Sequence, residues 1–306
     1  MTIRHLRIFI AVADAGKMSL AAKNLYLAQP TVSQAIGELE QHYGCKLFER
    51  LSKKLYITPA GTRLLGYARH IVAQFDDMEA DIKQTSQAPR LTIGATMTVG
   101  ACVLSGIVSR FEGEHPAARC QLYIDNTREI EARLLKSELD LAIVEGQVQS
   151  RDLQVHPLFR DELILVCPPG HPLAQRSRLN LCDLQDQPFI LREEGSGTRA
   201  LFMQSLAENG ISIEAKWVCH GPESIKSALL AGQGMTVISR RLVQAELDSG
   251  LLVQLPLQDA RLTRFFSLVY HKNKFISPTL CLFFTQCNQI CAEQNLPPLP
   301  LNALQG

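Results

Sequence analysis

The chain has 306 residues, of which 46% are hydrophobic and 20% are charged, and its net charge at pH 7 is +1. This composition supplies the core of about two domains and excludes a disordered chain. It also excludes a protein that is basic over its whole surface. Because no hydrophobic run reaches the ~18 residues of a membrane span and no signal peptide is recognisable, we expect a cytoplasmic protein.

Nine cysteines are scattered along the chain. Their number is odd and no C-x-x-C pair occurs, so we expect neither a disulfide framework nor a zinc site. Cys287 and Cys291 lie four residues apart in a predicted helix that has no second pair of ligands. We interpret them as small buried side chains rather than metal ligands, and we expect no metal and no cofactor.

Positive charge is concentrated at the N terminus. Residues 1–58 contain eight Lys or Arg and four Asp or Glu, which gives this segment a net charge of +4 and leaves −3 for the remainder. A basic N-terminal segment followed by an acidic remainder is typical of a DNA-binding module joined to another domain. We call residues 1–58 the basic head. A solvated charged surface would give the same count, so the charge alone does not decide the function.

Three short helices are predicted in the basic head. The first has hydrophobic residues at helical spacing and ends at Gly16. The second begins near Ser19, which is a favoured residue type for the N-cap. The third begins near Pro30, since proline suits a first helical turn, and ends at Gly44.

The third helix has a polar face that suits DNA. Gln34 points away from the hydrophobic residues of this helix, and the small or polar residues around it carry no carboxylate. Such a face can enter a major groove, where Gln pairs with adenine and Ser or Thr reaches bases or phosphates. The predicted DNA contacts at the second and third helices are Ser19, Gln29, Pro30, Thr31, Ser33 and Gln34.

A two-stranded wing is predicted over residues 45–58. We place Lys53 and Lys54 of its turn, together with Arg50, against the phosphate backbone of DNA. An ordinary solvated hairpin is the alternative interpretation. The two helices joined by a short turn immediately before the hairpin favour the wing.

The segment from residue 6 to residue 61 has a distinctive order and spacing of residues: Leu6, Phe9, Ala21, Ala22, Leu25, Gln29, Pro30, Ser33, Leu39, Glu40, Gly44, Leu47, Phe48, Arg50, Thr58 and Gly61. In these residues it resembles the winged helix-turn-helix of the LysR-type transcriptional regulators. Two positions depart from the family pattern. Lys17-Met18 replace a frequent Ser-Phe, and Ala28 replaces a frequent Ser or Thr cap, which costs the recognition helix about 1 kcal/mol.

A long helix is predicted from Pro59 to about Ser86. Its hydrophobic residues recur at alternating steps of four and three, which makes a heptad seam. The seam consists of Leu64, Ala68, Ile71, Phe75, Met78 and Ile82. A seam this narrow favours a partner helix over packing on its own domain. In the resembling family this helix forms the dimer, so we predict a winged helix-turn-helix over 1–58 and a dimerisation helix with a hinge over 59–88.

Strands and helices alternate from residue 91 onward, which predicts an α/β domain with parallel sheets. The runs LTIGATMTVG, LDLAIVEG and AGQGMTVISRRLV resemble the two-lobed effector domain of LysR-type regulators, which is like a type 2 periplasmic binding protein. The resemblance implies an effector-binding domain over 89–306. Its lobe I would span about 91–160 and 267–306, and its lobe II about 161–266.

Ligands of such folds bind beyond the carboxyl ends of strands. The run GSGTR, residues 195–199, suits an anion because it offers hydroxyl groups, glycines that let a ligand approach the backbone, and the start of a predicted helix. A simple capped turn is the alternative interpretation. Glu145 would repel an anion unless a basic residue pairs with it. The predicted effector-binding residues are Thr96, Met97, Thr98, Glu145, Ser196, Gly197, Thr198, Arg199, His220 and Glu223.

The GSGTR run also resembles the family branch that includes regulators of sulfur assimilation and carbon fixation, which implies a small anionic effector. We therefore expect a transcriptional regulator that binds double-stranded promoter DNA, associates with itself as a dimer or tetramer, and contacts RNA polymerase. A solute receptor and an enzyme are the alternatives. Neither needs the DNA-binding head, and no G-x-S-x-G, P-loop or H-E-x-x-H motif occurs, so we expect no enzyme.

Overall fold

The computed structural model describes residues 1–51, 54–83, 89–258, 260 and 262–299. The chain forms two compact units, the first made mainly of residues 1–87 and the second of most of the remaining residues. Within the described residues, no helix combines the length and the apolar character that a membrane span requires.

The described residues of the N-terminal unit form four helices and one hairpin. Its elements are α1 (Ile3–Ala15), α2 (Met18–Asn24), α3 (Gln29–Tyr43), β1 (Phe48–Leu51), β2 (Lys54–Ile57) and α4 (Pro59–Lys83). Gly16 and Gly44 adopt the left-handed conformation and end α1 and α3, as predicted. The core is formed by the hydrophobic faces of the helices, with Phe9, Val12 and Val32 completely buried.

Ser19 is not the N-cap of α2, which corrects the sequence-based expectation. The helix begins at Met18, so Lys17 precedes it and no side chain caps its first turn. The side chain of Met18 packs against the hydrophobic core, which accounts for a helix start one residue earlier than predicted. Likewise, Ala28 precedes α3 without a side-chain cap, as the departure from the family pattern implied.

The heptad seam of α4 divides into a buried part and an exposed part. Ala68 is completely buried in the core of its own unit, where Leu64 also packs. This placement corrects the prediction for Ala68, because a methyl group inside its own core cannot contact a partner helix. Ile71, Met78 and Ile82 are 41%, 47% and 72% exposed.

Phe75 is half-buried, and the guanidinium of Arg7 lies 5.9 Å from the centre of its ring. The exposed part of the heptad seam therefore begins at Ile71, in the middle of α4.

The C-terminal unit is an α/β domain. Its strands are β3 (Arg90–Thr96), β4 (Arg119–Asp125), β5 (Leu141–Glu145), β6 (Leu153–Cys167), β7 (Phe189–Arg192), β8 (Ala215–Cys219), β9 (Thr236–Ser239), β10 (Val253–Leu255) and β11 (Leu262–His271). Its helices are α5 (Met97–Val99), α6 (Ser105–Glu114), α7 (Thr127–Leu135), α8 (Gly197–Glu208), α9 (Pro222–Leu230), α10 (Arg240–Asp248) and α11 (Pro278–Glu293). A π-helical segment, Gly100–Leu104, joins α5 to α6.

The main sheet is mixed, whereas the sequence predicted parallel sheets. Its order is β10-β6-β11-β5-β3-β4, and β9 also pairs with β6. Strand β3 runs parallel to β4 and β5, but β11 runs antiparallel to both β5 and β6. The difference arises because β11 returns from far along the chain and pairs antiparallel with β5 and β6, a long-range pairing that the alternation of strands and helices does not contain.

The described residues of the domain form three hydrophobic cores. The first includes Phe111, Leu158 and Phe266, the second includes Leu163 and Leu262, and the third includes Ile164 and Val166. Strands β6 and β11 both contribute to the first and the second core, so they connect the two lobes. The residue boundaries given above for the lobes stay predictions.

Cys287 and Cys291 lie in the first core, which confirms their interpretation as small buried side chains. Burial raises the pKa of both thiols, so they remain protonated at neutral pH.

Candidate functional sites

The predicted DNA-contacting residues of α2 and α3 lie on the surface. Val32, Ile36 and Leu39 turn towards the core, which leaves the opposite face of α3 open to solvent. The exposed predicted contacts are Ser19, Gln29, Pro30, Thr31, Ser33 and Gln34. An exposed helix face with these short polar side chains fits the width of a major groove.

The predicted wing is present as an antiparallel hairpin in which Leu51 lies opposite Lys54. Lys53 lies outside the described residues. For Arg50 and Lys54 the structure describes the backbone only. The phosphate contacts of these three side chains therefore stay predictions.

Hydrogen bonds between side chains orient Gln34. Its Nε2 donates to Glu38 Oε1 at 2.8 Å, and His5 Nε2 donates to the other carboxylate oxygen at 2.7 Å. These bonds, first from His5 and then from Gln34, hold the pKa of Glu38 below its ordinary value. Glu38 is therefore an ionised acceptor at neutral pH. The sequence patterns did not predict this role, and the spacing of four residues on one helix is the signal that points to it.

Three predicted effector residues of the C-terminal unit meet at Glu145. This residue ends β5 and is 1% exposed. Thr96 Oγ1 donates to Glu145 Oε2 at 3.0 Å, and Thr98 Oγ1 donates to Oε1 at 2.9 Å. Thr198 Oγ1 lies 3.4 Å from the same Oε1. Hydroxyl groups from β3, α5 and α8 thus converge on one buried carboxylate.

Arg264 of β11 joins this carboxylate to a second one. Its Nη1 donates to Thr198 Oγ1 at 2.8 Å and lies 3.8 Å from Glu145 Oε1. Its Nε donates to Asp161 Oδ2 at 2.8 Å. Buried charges must be paired, and here one guanidinium compensates two buried carboxylates. We call Thr96, Thr98, Thr198 and Arg264 the donor cradle of Glu145.

Two further groups stabilise Asp161. Ser239 Oγ donates to its Oδ1 at 2.6 Å, and the half-exposed guanidinium of Arg241 lies 3.9 Å from the same oxygen. The sequence patterns predicted neither Arg264 nor Asp161 as a site residue. Their only signal was the presence of charged residues inside otherwise hydrophobic strands.

The start of α8 packs directly on the end of β5. A Cβ atom on Gly197 would lie 2.3 Å from the carbonyl oxygen of Glu145, and one on Gly146 would lie 2.7 Å from Gly197 Cα. The backbone N–H of Arg128 also donates to the carbonyl of Gly195 at 3.3 Å. Gly197 is therefore needed for a close approach of two backbone segments.

A cavity of about 530 Å³ lies beside this junction, lined by residues of α7, the loop after β5, the start of α8 and β11. Its charged lining residues are Arg128, Glu131 and Arg264. Ser196 is a further lining residue. Within the part of the chain that the structure describes, Ser196 Oγ and Arg264 Nη2 are buried and have no hydrogen-bond partner. Buried polar atoms normally have a partner, so these two donors fit a ligand that supplies oxygen atoms.

The structure brings only some of the predicted effector residues to this region. Ser196 and Gly197 line the cavity, whereas the three threonines and Glu145 form the adjacent network.

The other four predicted residues are placed differently. Arg199 donates from Nη1 to the carbonyl of Arg192 at 3.2 Å. Glu223 is exposed and paired with a lysine of α9, His220 is exposed, and Met97 is half-buried. None of the four lines the cavity.

Comparison with known proteins shows the family. Residues 3–62 match the family described as "Bacterial regulatory helix-turn-helix protein, lysR family", and residues 84–292 match the "LysR substrate binding domain". The chain therefore belongs to the LysR family and is a DNA-binding transcriptional regulator with an effector-binding domain. The predicted winged helix-turn-helix and two-lobed α/β architecture are confirmed.

Individual relatives span nearly the whole chain. The transcriptional regulator CysL of Bacillus subtilis is 29% identical and covers 90% of this chain and 95% of its own length. The RuBisCO operon transcriptional regulator of Allochromatium vinosum is 30% identical and covers 92% and 94%. The solved CcmR regulatory domain of Synechocystis has a TM-score of 0.61 and 24% identity, covering 67% of this chain and 97% of that one. The predicted resemblance to the sulfur-assimilation and carbon-fixation branch is confirmed.

Replacing Gly197 by alanine should weaken the junction between α8 and β5, because the new methyl group would overlap the carbonyl oxygen of Glu145. We expect the free energy of unfolding, measured by urea denaturation, to fall by about 1–3 kcal/mol. Gly106→Ala in α6 is the matched control: a Cβ there meets nothing within 4 Å, and alanine should stabilise the helix by about 0.5–1 kcal/mol. A Gly197→Ala protein as stable as the wild type would contradict the close packing.

Replacing Glu38 by alanine should release the amide of Gln34 and reduce sequence discrimination. The measurement compares two DNA duplexes: the one from the gene's own upstream region that binds most tightly, and an unrelated one. The quantity is the ratio of the affinity for the first duplex to the affinity for the second. We expect this ratio to fall about fivefold or more, because a good base-edge contact contributes ~1–3 kcal/mol. Asp14→Ala removes the same charge from the same unit without touching Gln34, and should leave the ratio unchanged. Equal ratios for both variants would show that Glu38 does not orient Gln34.

Proposed function

We propose that this regulator reads promoter DNA with α3 and responds to a small anionic effector bound between the two lobes of its C-terminal domain. The observation that carries the effector part is the pair of buried, unpartnered donors, Ser196 Oγ and Arg264 Nη2, on residues that line the cavity. The exposed polar face of α3 carries the DNA part.

The proposed reading of DNA uses two kinds of contact. Gln34 pairs with the major-groove edge of adenine, and Thr31 and Ser33 reach neighbouring bases or phosphates. The side chains of Arg50, Lys53 and Lys54 hold the phosphate backbone. These phosphate contacts supply affinity without sequence preference, so they make binding dependent on salt.

Self-association is proposed to occur through the second half of α4. Ile71, Met78 and Ile82 form an exposed hydrophobic row that a second copy of the helix would cover. A dimer, or a tetramer built from dimers, would carry two or more heads and read repeated half-sites. Because DNA and polymerase share one compartment, we propose a cytoplasmic location and RNA polymerase as a further partner.

The proposed effector is a small anion such as a carboxylate or a phosphate ester. Arg128 and Arg264 line the cavity beside Glu131, and because Arg264 is shared by Glu145 and Asp161, the positive potential for an anion comes from Arg128 and the start of α8. The charge of Glu145 is already paired with Arg264, so it does not face the cavity unpaired. The CcmR regulatory domain was solved in complex with 2-PG, which is itself such an anion.

The proposed control requires that the effector binds one arrangement of the lobes more tightly than the other, because only a difference in affinity shifts an equilibrium. We propose no catalytic activity, in agreement with relatives that are named transcriptional regulators. Turnover of the bound anion would be the sign of an enzyme.

Fluorescence anisotropy with duplexes that tile the gene's own upstream region tests the function, at several salt concentrations and with 2-PG as effector probe. We expect one tile to bind much more tightly than unrelated DNA, and 2-PG to change that affinity. Gln34→Ala should weaken binding to this tile about fivefold or more. Gln41→Ala, the same change two turns further along α3, should not. Failure to bind any of the upstream duplexes at low salt would contradict the DNA-binding role. If 2-PG, sulfate and phosphate all leave the affinity for the duplex unchanged, the anionic effector is contradicted.

A further inference from the structure

The side chain of Glu145 is surrounded by hydrogen-bond donors of the kind that a bound anion requires. A bound carboxylate or oxyanion needs hydrogen-bond donors around its oxygen atoms and a cation nearby. Thr96 donates to Oε2 of Glu145 and Thr98 to Oε1, and Thr198 Oγ1 and Arg264 Nη1 lie 3.4 Å and 3.8 Å from the same Oε1. This is the environment of a bound ligand, supplied here by the chain itself.

The buried charges at the cradle already include one carboxylate more than they include cations, and the half-exposed Arg241 lies 3.9 Å from Asp161. Arg264 lies between Glu145 and Asp161, at 3.8 Å from the first carboxylate and 2.8 Å from the second. All three side chains are nearly completely buried. A free anion in the cradle would face the Glu145 carboxylate with no additional buried cation, and like charges at such distances cannot both be ionised cheaply.

The size of the cradle leads to the same conclusion. Glu145 is 1% exposed, and the carbonyl of the same residue touches Gly197. Its carboxylate is therefore enclosed by the side chains that donate to it in this arrangement of the lobes. A free anion would have to replace the carboxylate rather than join it.

We propose that Glu145 is a built-in anion of the effector domain, which saturates the cradle and excludes small free oxyanions from it. The effector's own anionic group is then confined to the adjacent cavity. The inference rests on the proposed effector function for the role of that cavity, whereas occupation of the cradle by Glu145 is independent of which compound regulates the protein. Glu145 is thus a specificity-determining residue.

The test removes the carboxylate and asks whether a free anion takes its place. Sulfate and acetate are titrated calorimetrically into the full-length protein against chloride at equal ionic strength, and thermal melting is followed under the same conditions. We expect Glu145→Ala to bind one of these anions at least tenfold more tightly than the wild type and to melt at a higher temperature in its presence. Glu145→Ser, which leaves a smaller void, should show the same gain.

Two further variants separate charge, size and general effects. Glu145→Gln fills the cradle with a neutral group of equal size, so it should gain no anion binding. Asp152→Ala removes an exposed carboxylate that pairs with Lys272 at 2.6 Å, and it should behave as the wild type.

The proposal is overturned if Glu145→Ala and Glu145→Ser bind sulfate and acetate no more tightly than the wild type. It is also overturned if Asp152→Ala gains as much as they do, since the effect would then reflect net charge alone. Binding of the upstream duplex is measured on the same samples. A gain of anion binding without any duplex binding supports the role of Glu145 and contradicts the proposed regulatory function, so the two failures are distinguishable.

Discussion

One buried arginine is the constraint on which the effector domain depends. Arg264 lies in β11, and it contacts Asp161 of β6, Glu145 of β5 and Thr198 of α8. Because buried carboxylates without a counter-ion are strongly unfavourable, these four elements must keep their positions around the guanidinium. The close approach of Gly197 to the end of β5 follows from the same arrangement.

The position of this polar junction also explains how a rigid domain can respond to a ligand. Strands β6 and β11 contribute to two hydrophobic cores, and the junction lies where they pass from one core to the other. Packed hydrophobic cores do not deform continuously, whereas hydrogen bonds and ion pairs can be exchanged for others. A ligand that supplies oxygen atoms to Ser196 Oγ and Arg264 Nη2 would act directly on the hydrogen bonds and ion pairs of this junction.

The sequence predicted the N-terminal unit well because its signals are local. Glycines at the helix ends, proline in a first turn and helical spacing specify three helices within a few residues of their bounds. Ser19 was assigned wrongly as a cap because the core contact of Met18 is a tertiary interaction that no local pattern contains. The buried position of Ala68 escaped the heptad pattern for the same reason.

The buried network around Glu145 was predictable only in part. Thr96, Thr98, Glu145 and Thr198 were placed near one another because they end or follow strands, and their role in effector binding stays a prediction. Arg264 and Asp161 were not found, since they are 103 residues apart and lie within strands. The mixed sheet was not predicted either, because antiparallel pairing of β6 with β11 depends on residues distant in sequence.

The free energy of unfolding of an Arg264→Met protein tests the central claim most directly. Methionine keeps much of the side-chain volume but leaves Glu145 and Asp161 buried without their shared cation. The account predicts a loss of about 3–5 kcal/mol by urea denaturation. Arg240→Met, which removes an exposed pairing with Glu162 at 2.9 Å, should lose less than about 1 kcal/mol. An Arg264→Met protein no less stable than the Arg240→Met protein would contradict the account.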